Sequence, residues 1–156
     1  VSLHIVVAGT PRPQGSKRPL RNKHTGRIHM VESSQRLPDW RADIRDAAGK
    51  ALANRFITGL GITGLWDAPL VVGIQFLLAR PKNHYLPVNN RRDRPFLRDN
   101  APKHPAGKPD LDKLIRAVLD ALTGLVWRDD SQVVHVEAWK LYHPHEGADI
   151  TVSEAL

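Results

Sequence analysis

The sequence contains no cysteine, so disulfide frameworks and zinc–thiolate sites are excluded, and a reducing, cytoplasmic setting fits. No apolar run approaches the roughly 20 residues needed to span a bilayer. Residues 1–9 carry no basic stretch, and their apolar segment is too short for a secretory signal, so they read as a strand. Internal repeats and low-complexity tracts are also missing. These absences lead us to expect a soluble, untargeted protein with no membrane partner.

What remains fits one compact domain over residues 1–156, because 41% hydrophobic content in a chain of this length can bury a core unaided. The net charge of +7 suggests a polyanionic partner. Its distribution is more telling than its size. Residues 11–27 hold six Lys/Arg and no acid, and residues 80–109 hold eight against Asp93 and Asp99. Each segment is therefore +6, leaving the remainder at −5. Such segregation points to nucleic acid or phosphate, bound through long-range attraction and counterion release.

Leu3, Ile5 and Val7 alternate with their neighbours as in a half-buried strand, which Pro11, Pro13 and Gly15 end. Residues 18–21 and 27–31 flank Asn22–Gly26 as a small basic hairpin. Trp40, Ile44, Ala47, Ala48, Ala51 and Leu52 predict a helix over 39–55, with Asp39 as N-cap. Val72, Ile74, Phe76 and Leu78 define a core strand over 70–79. The proline-rich segment 80–109 has no periodicity and reads as an insertion, either a functional flap or disordered. Leu111, Leu114, Ile115, Val118, Leu119 and Leu122 predict a helix over 111–123 stopped by Gly124. Two strands follow, over 133–142 and 148–152. The expected fold is α+β, a mixed sheet of four to five strands packed with two main helices, in the order β, hairpin, α, β, α, β, β.

The window that carries chemistry is Asp110-Leu111-Asp112 and, after the helix, Asp129-Asp130. Phosphodiester hydrolysis needs a cation that polarises the phosphate and acidifies the attacking water. Mg2+ takes hard oxygen ligands and keeps several waters, so one or two carboxylates per ion suffice. Residues two apart inside a helix point about 200° apart. With Asp110 as an extended N-cap, however, its side chain can swing toward Asp112, and the helix dipole favours both anions. The plain alternative is a cap and a first-turn acid. Asp130 would join them only if residues 125–129 ran back along the helix, nearly extended over at most about 20 Å, or if Asp130 served a neighbouring subunit. Asp129 is the fallback ligand. Three converging carboxylates would repel one another without a cation.

Lys108-Pro109-Asp110-Leu111-Asp112-Lys113-Leu114, then Asp120-Ala121-Leu122-Thr123-Gly124, Asp129-Asp130-Ser131-Gln132 and Lys140, resembles the RusA-like Holliday junction resolvases. Residues 9–18 also look like this group. The resemblance implies a homodimeric, Mg2+-dependent endonuclease, often phage- or prophage-encoded, that makes paired symmetric cuts in four-way DNA junctions. Mn2+ would be a substitute ion. It places Asp110, Asp112 and Asp130 as catalytic metal ligands. Arg116 stands where the family has a functional lysine. Arginine cannot donate a proton at neutral pH, so Arg116 would stabilise phosphate charge, or else form an i,i+4 ion pair worth about 0.3–0.5 kcal/mol.

Lys17, Arg18, Arg91, Arg92 and Arg94 would then hold the DNA backbone. Tyr85 and Phe96 would either stack on unpaired bases or anchor their own loop. Lys140 is about 33 Å along a strand from Asp130 and is left outside the site. His143-Pro144-His145 reads as a turn. The rival functions are a flap or other branched-DNA nuclease with the same metal chemistry and a non-catalytic DNA-binding module.

Overall fold

The computed structural model describes residues 2–15, 18–31, 36–57, 64–87 and 96–156. Strand β1 (Ser2–Ala8) buries Leu3, Ile5 and Val7 and exposes the residues between them, as alternation demands. It pairs antiparallel with β6 (Gly147–Glu154). Strands β2 (Arg18–Arg21) and β3 (Ile28–Val31) form the hairpin. Its turn is built by Asn22, whose Oδ1 accepts from the His24 and Thr25 amides at 2.8 and 3.1 Å. Gly26 supplies the positive φ of 67° that closes it.

Helix α1 (Leu37–Ile57) begins two residues earlier than its spacing predicts. Asp39 therefore lies in the first turn rather than at the N-cap. Pro38 is accommodated because first-turn amides have no intrahelical acceptor, so its missing N–H costs nothing there. Leu37, Trp40, Ile44 and Ala48 form its buried stripe.

Strand β4 (Leu70–Leu78) is central, antiparallel to β6 and parallel to β5 (Val133–Tyr142), giving a mixed four-stranded sheet in the order β1-β6-β4-β5. The expected α+β architecture and element order are thus those observed. Both helices join one core with the sheet. Across the other face, His4, Gln75, Glu137, Trp139 and Thr151 are exposed.

Helix α2 (Leu111–Leu122) connects the parallel strands β4 and β5. A helix in such a crossover must run opposite to both strands. Its start therefore lies by the C-terminal ends of β4 and β5, and its end by the beginning of β5. Leu114, Ala117, Val118, Ala121 and Leu122 are buried. The two alanines add to the predicted leucine stripe, and Gly124, with φ 75°, stops the helix as expected.

Between β4 and α2, the described parts of 80–109 fold back on themselves. Lys82–His84 form one 3-10 turn. Residues 85 and 97 bridge antiparallel, and the Leu86 amide donates to Phe96 O at 2.8 Å. Arg80 lies over the Tyr142 ring, 4.1 Å from its centroid, and donates to Pro102 O at 2.7 Å.

Candidate active site

Asp110 occupies the N-cap of α2 with extended backbone (φ −69°, ψ 134°), yet its side chain makes no capping hydrogen bond. The carboxylate instead pairs with Lys113, Oδ2 to Nζ 2.9 Å. That hydrogen bond and the charge of Lys113 hold the Asp110 pKa below the ordinary carboxylate range. Reciprocally, Asp110 raises the pKa of Lys113, with a smaller push from Asp112. Asp112 is exposed in the first turn. A purely structural cap would spend the Asp110 carboxylate on a backbone amide. Here both acids stand at the positive end of a helix with oxygen atoms facing solvent.

Residues 9–15 pass beside this helix start. The Gln14 amide donates to Lys113 O at 3.0 Å. Arg41 Nη2 reaches Gln14 Oε1 at 2.6 Å and Asp120 Oδ2 at 2.8 Å. A cavity of about 780 Å³ opens next to Asp110, walled by Pro11, Pro13, His84, His104, Tyr142 and Lys113 among others. It sits at the C-terminal ends of β4 and β5, where open α/β arrangements leave room for ligands.

Asp130 lies at the other end of the helix. Its Oδ1 accepts from the Trp127 indole at 3.0 Å and contacts the Thr123 hydroxyl. Thr123 is the C-cap of α2 and sits 3.0 Å from Leu119 O, while Trp127 is fully buried. The chain does not run back along the helix. The Leu125 and Val126 amides both donate to Leu122 O, the Gly124 amide donates to Trp127 O at 2.7 Å, and the Trp66 amide donates to Val126 O. These bonds and the buried indole fold 124–127 into a tight turn at the helix end. With 12 residues in the helix, Asp130 is separated from Asp110 by about 18 Å at a rise of ~1.5 Å per residue. One ion cannot span that within a single chain. Among the described residues, no three His, Asp or Glu side chains converge on a point.

Asp129 has a structural task. Its Oδ1 accepts from the Ser131 amide at 2.8 Å, and Gln132 Oε1 accepts from its backbone N–H at 3.1 Å, a reciprocal capping box. Hydrogen bonds from the Ser131 side chain and amide lower its pKa. Gln132 Nε2 continues to the carbonyls of Trp66 and Ala68.

Arg116 is exposed and forms no ion pair among the described residues, while Asp120, its i+4 neighbour, is engaged by Arg41. Arg18 opens β2, and Lys17, Arg91, Arg92 and Arg94 lie outside the described residues. Phe96 is 74% exposed. His143 Nδ1 bonds within its own turn, to the His145 backbone.

The residue that sequence reasoning missed is Lys140. Strand β5 carries it away from Asp130, to the opposite end of α2. There Nζ donates to Gly107 O at 2.7 Å and Pro109 O at 3.0 Å, beside Asp110.

Exposed paired acids thus stand at a helix start beside a cavity, with Lys108, Lys113 and Lys140 close to Asp110. The family described as Endodeoxyribonuclease RusA matches residues 9–153, and the chain belongs to that family. It is accordingly an enzyme of the nuclease type. The chain is also similar to the uncharacterized protein YqaN of Bacillus subtilis (strain 168), 25% identical over 152 residues, covering 97% of this chain and 96% of that protein. No described helix is long and apolar enough to cross a membrane.

Proposed function

We propose that the protein is a Mg2+-dependent, structure-selective endonuclease of the bacterial cytoplasm that resolves four-way DNA junctions by paired symmetric cuts. It works as a homodimer. The observation that carries this reading is the uncapped Asp110 beside Asp112. Both carboxylates are exposed at the positive end of α2, bordering a cavity at the strand ends. Hard, hydrated oxygen donors of this kind suit Mg2+, with Mn2+ as substitute.

Asp110 and Asp112 of one subunit would hold the ion, and Asp130 would complete the site from the partner. Two features support sharing between subunits. The helix keeps Asp130 about 18 Å away in its own chain, and only Oδ1 of Asp130 has partners among the described residues. When bound, the cation supplies phosphate polarisation and a more acidic attacking water. Around it, Lys113 keeps Asp110 ionised, and Arg116 offsets charge on the phosphate. Lys17, Arg18, Arg91, Arg92 and Arg94 hold the DNA backbone. A junction with twofold symmetry presents two equivalent strands, and a dimer built from two such shared sites cuts both.

The test is incubation of the protein and Mg2+ with labelled junction, flap and duplex DNA. Junction cleavage at paired positions, well above the other two substrates, is the expected result. Preference for the flap makes the protein a different branched-DNA nuclease. Binding to all three without cleavage makes it a DNA-binding module.

A further inference from the structure

We propose that Lys140 is a positioning residue for Asp110. From the end region of β5 it binds the carbonyls of Gly107 and Pro109 and so fixes the bend that delivers Asp110 to the start of α2. The inference rests on the reading of Asp110 as part of the active site.

Ala138 on β5 packs against the core, and Lys140, two residues on, shares that face. The strand is held in register with β4, where Lys140 stands opposite Phe76, a fully buried residue. The base of the Lys140 side chain is therefore anchored in the sheet. Its ammonium donates to two carbonyls of one short stretch, at 2.7 and 3.0 Å. Two of its three donors are thus directed at protein rather than solvent.

That stretch needs an external hold. Residues 101–109 contain no helix or regular strand, and Ala106 N to His104 O is the nearest backbone bond within it. Helix α2 fixes Asp110 from its C-terminal side, through Leu114 N to Asp110 O at 3.2 Å and through Lys113 on the carboxylate. On the N-terminal side Arg80 holds Pro102 O and Pro105 is buried, but both lie several residues from Asp110. Lys140 provides the hold next to Asp110, across a sequence separation of 31 residues. Charge-assisted bonds to carbonyls are stronger than neutral ones. Residues that orient a metal-binding carboxylate without touching the ion typically change affinity or rate about 10–100-fold when lost.

The experiment compares full-length wild type, Lys140→Met and Lys140→Arg by three measurements. These are kcat and KM on a four-way junction, Mn2+ affinity by calorimetry, and amide hydrogen exchange over residues 106–112. Lys140→Met is expected to lower kcat and Mn2+ affinity about 10-fold or more while KM for DNA stays within about twofold. Exchange in the segment should accelerate at unchanged melting temperature. Lys140→Arg, which can still reach two carbonyls, should recover most of each loss.

Unchanged exchange in Lys140→Met overturns the proposal. So does a rise in KM alone, which would make Lys140 a DNA contact, or a Lys140→Arg variant as defective as Lys140→Met. Accelerated exchange in a protein whose wild type neither cuts DNA nor binds Mn2+ upholds the positioning role and overturns the nuclease reading instead.

Discussion

The two ends of α2 carry acids of similar sequence appearance and opposite physical situation. At the N-terminal end, Asp110 and Asp112 are exposed, and among the described residues the Asp110 carboxylate pairs with a half-exposed lysine. At the C-terminal end, Asp130 is half-buried and tied through Oδ1 to a buried indole and the helix C-cap. A carboxylate bound to Lys113 can exchange that partner for a cation at little cost. One locked onto Trp127 is fixed in direction before any ligand arrives. The first end leaves its acids open to a ligand, while the second holds its acid in a fixed direction.

The sharpest way to break this contrast is Asp112→Asn. It should lower cleavage by on the order of 10³-fold, the upper range for removing a group that stabilises transition-state charge, while the melting temperature stays unchanged. A wild-type rate would remove the N-terminal end from the chemistry. Trp127→Ala, at the other end, should instead act on stability. Emptying the site of a fully buried indole is expected to cost about 3–5 kcal/mol, read from denaturant unfolding.

Thr123→Val keeps the volume but removes a hydroxyl beside Asp130. Cleavage is expected to fall about 10-fold, as for loss of an orienting partner, with a stability change of about 1 kcal/mol. The smallest effect belongs to Lys113→Met. Lys113 holds the Asp110 pKa down, so the carboxylate stays charged to lower pH in the wild type. Losing Lys113 raises that pKa, and the acidic limb of the pH–rate profile should move to higher pH. The sign for stability follows. The pair contributes above the ordinary carboxyl pKa, and its contribution is lost as pH falls through the lowered value. Because both groups face solvent, the pH profile is the better readout.

The element order was legible because each element shows its own period: alternation in β1 and β4, helical spacing in 39–55 and 111–123. Pro38 misled only the start of α1, since a proline can lie inside a first turn as well as before one. At the site, Asp110 and Asp112 were legible as helix-start acids. Asp130 was not, because chain length bounds how far a segment can reach but not where it goes. The parallel pairing of β4 with β5 decides that. It keeps Asp130 at the bottom of α2 and lifts Lys140 to the top. Trp127 and Trp66, whose bridge holds the turn, give no periodic signal, so the tight turn at 124–127 could not be read from spacing.

Sharing of each proposed site, with Asp112 from one subunit and Asp130 from the other, is tested by mixing two inactive proteins. Asp112→Asn and Asp130→Asn are each expected to be inactive as homodimers. A heterodimer of the two would contain one doubly altered site and one wild-type site. Mixing after subunit exchange is expected to restore nicking of a single junction strand without the paired second cut. No recovered cleavage in a verified heterodimer would contradict sharing of the site.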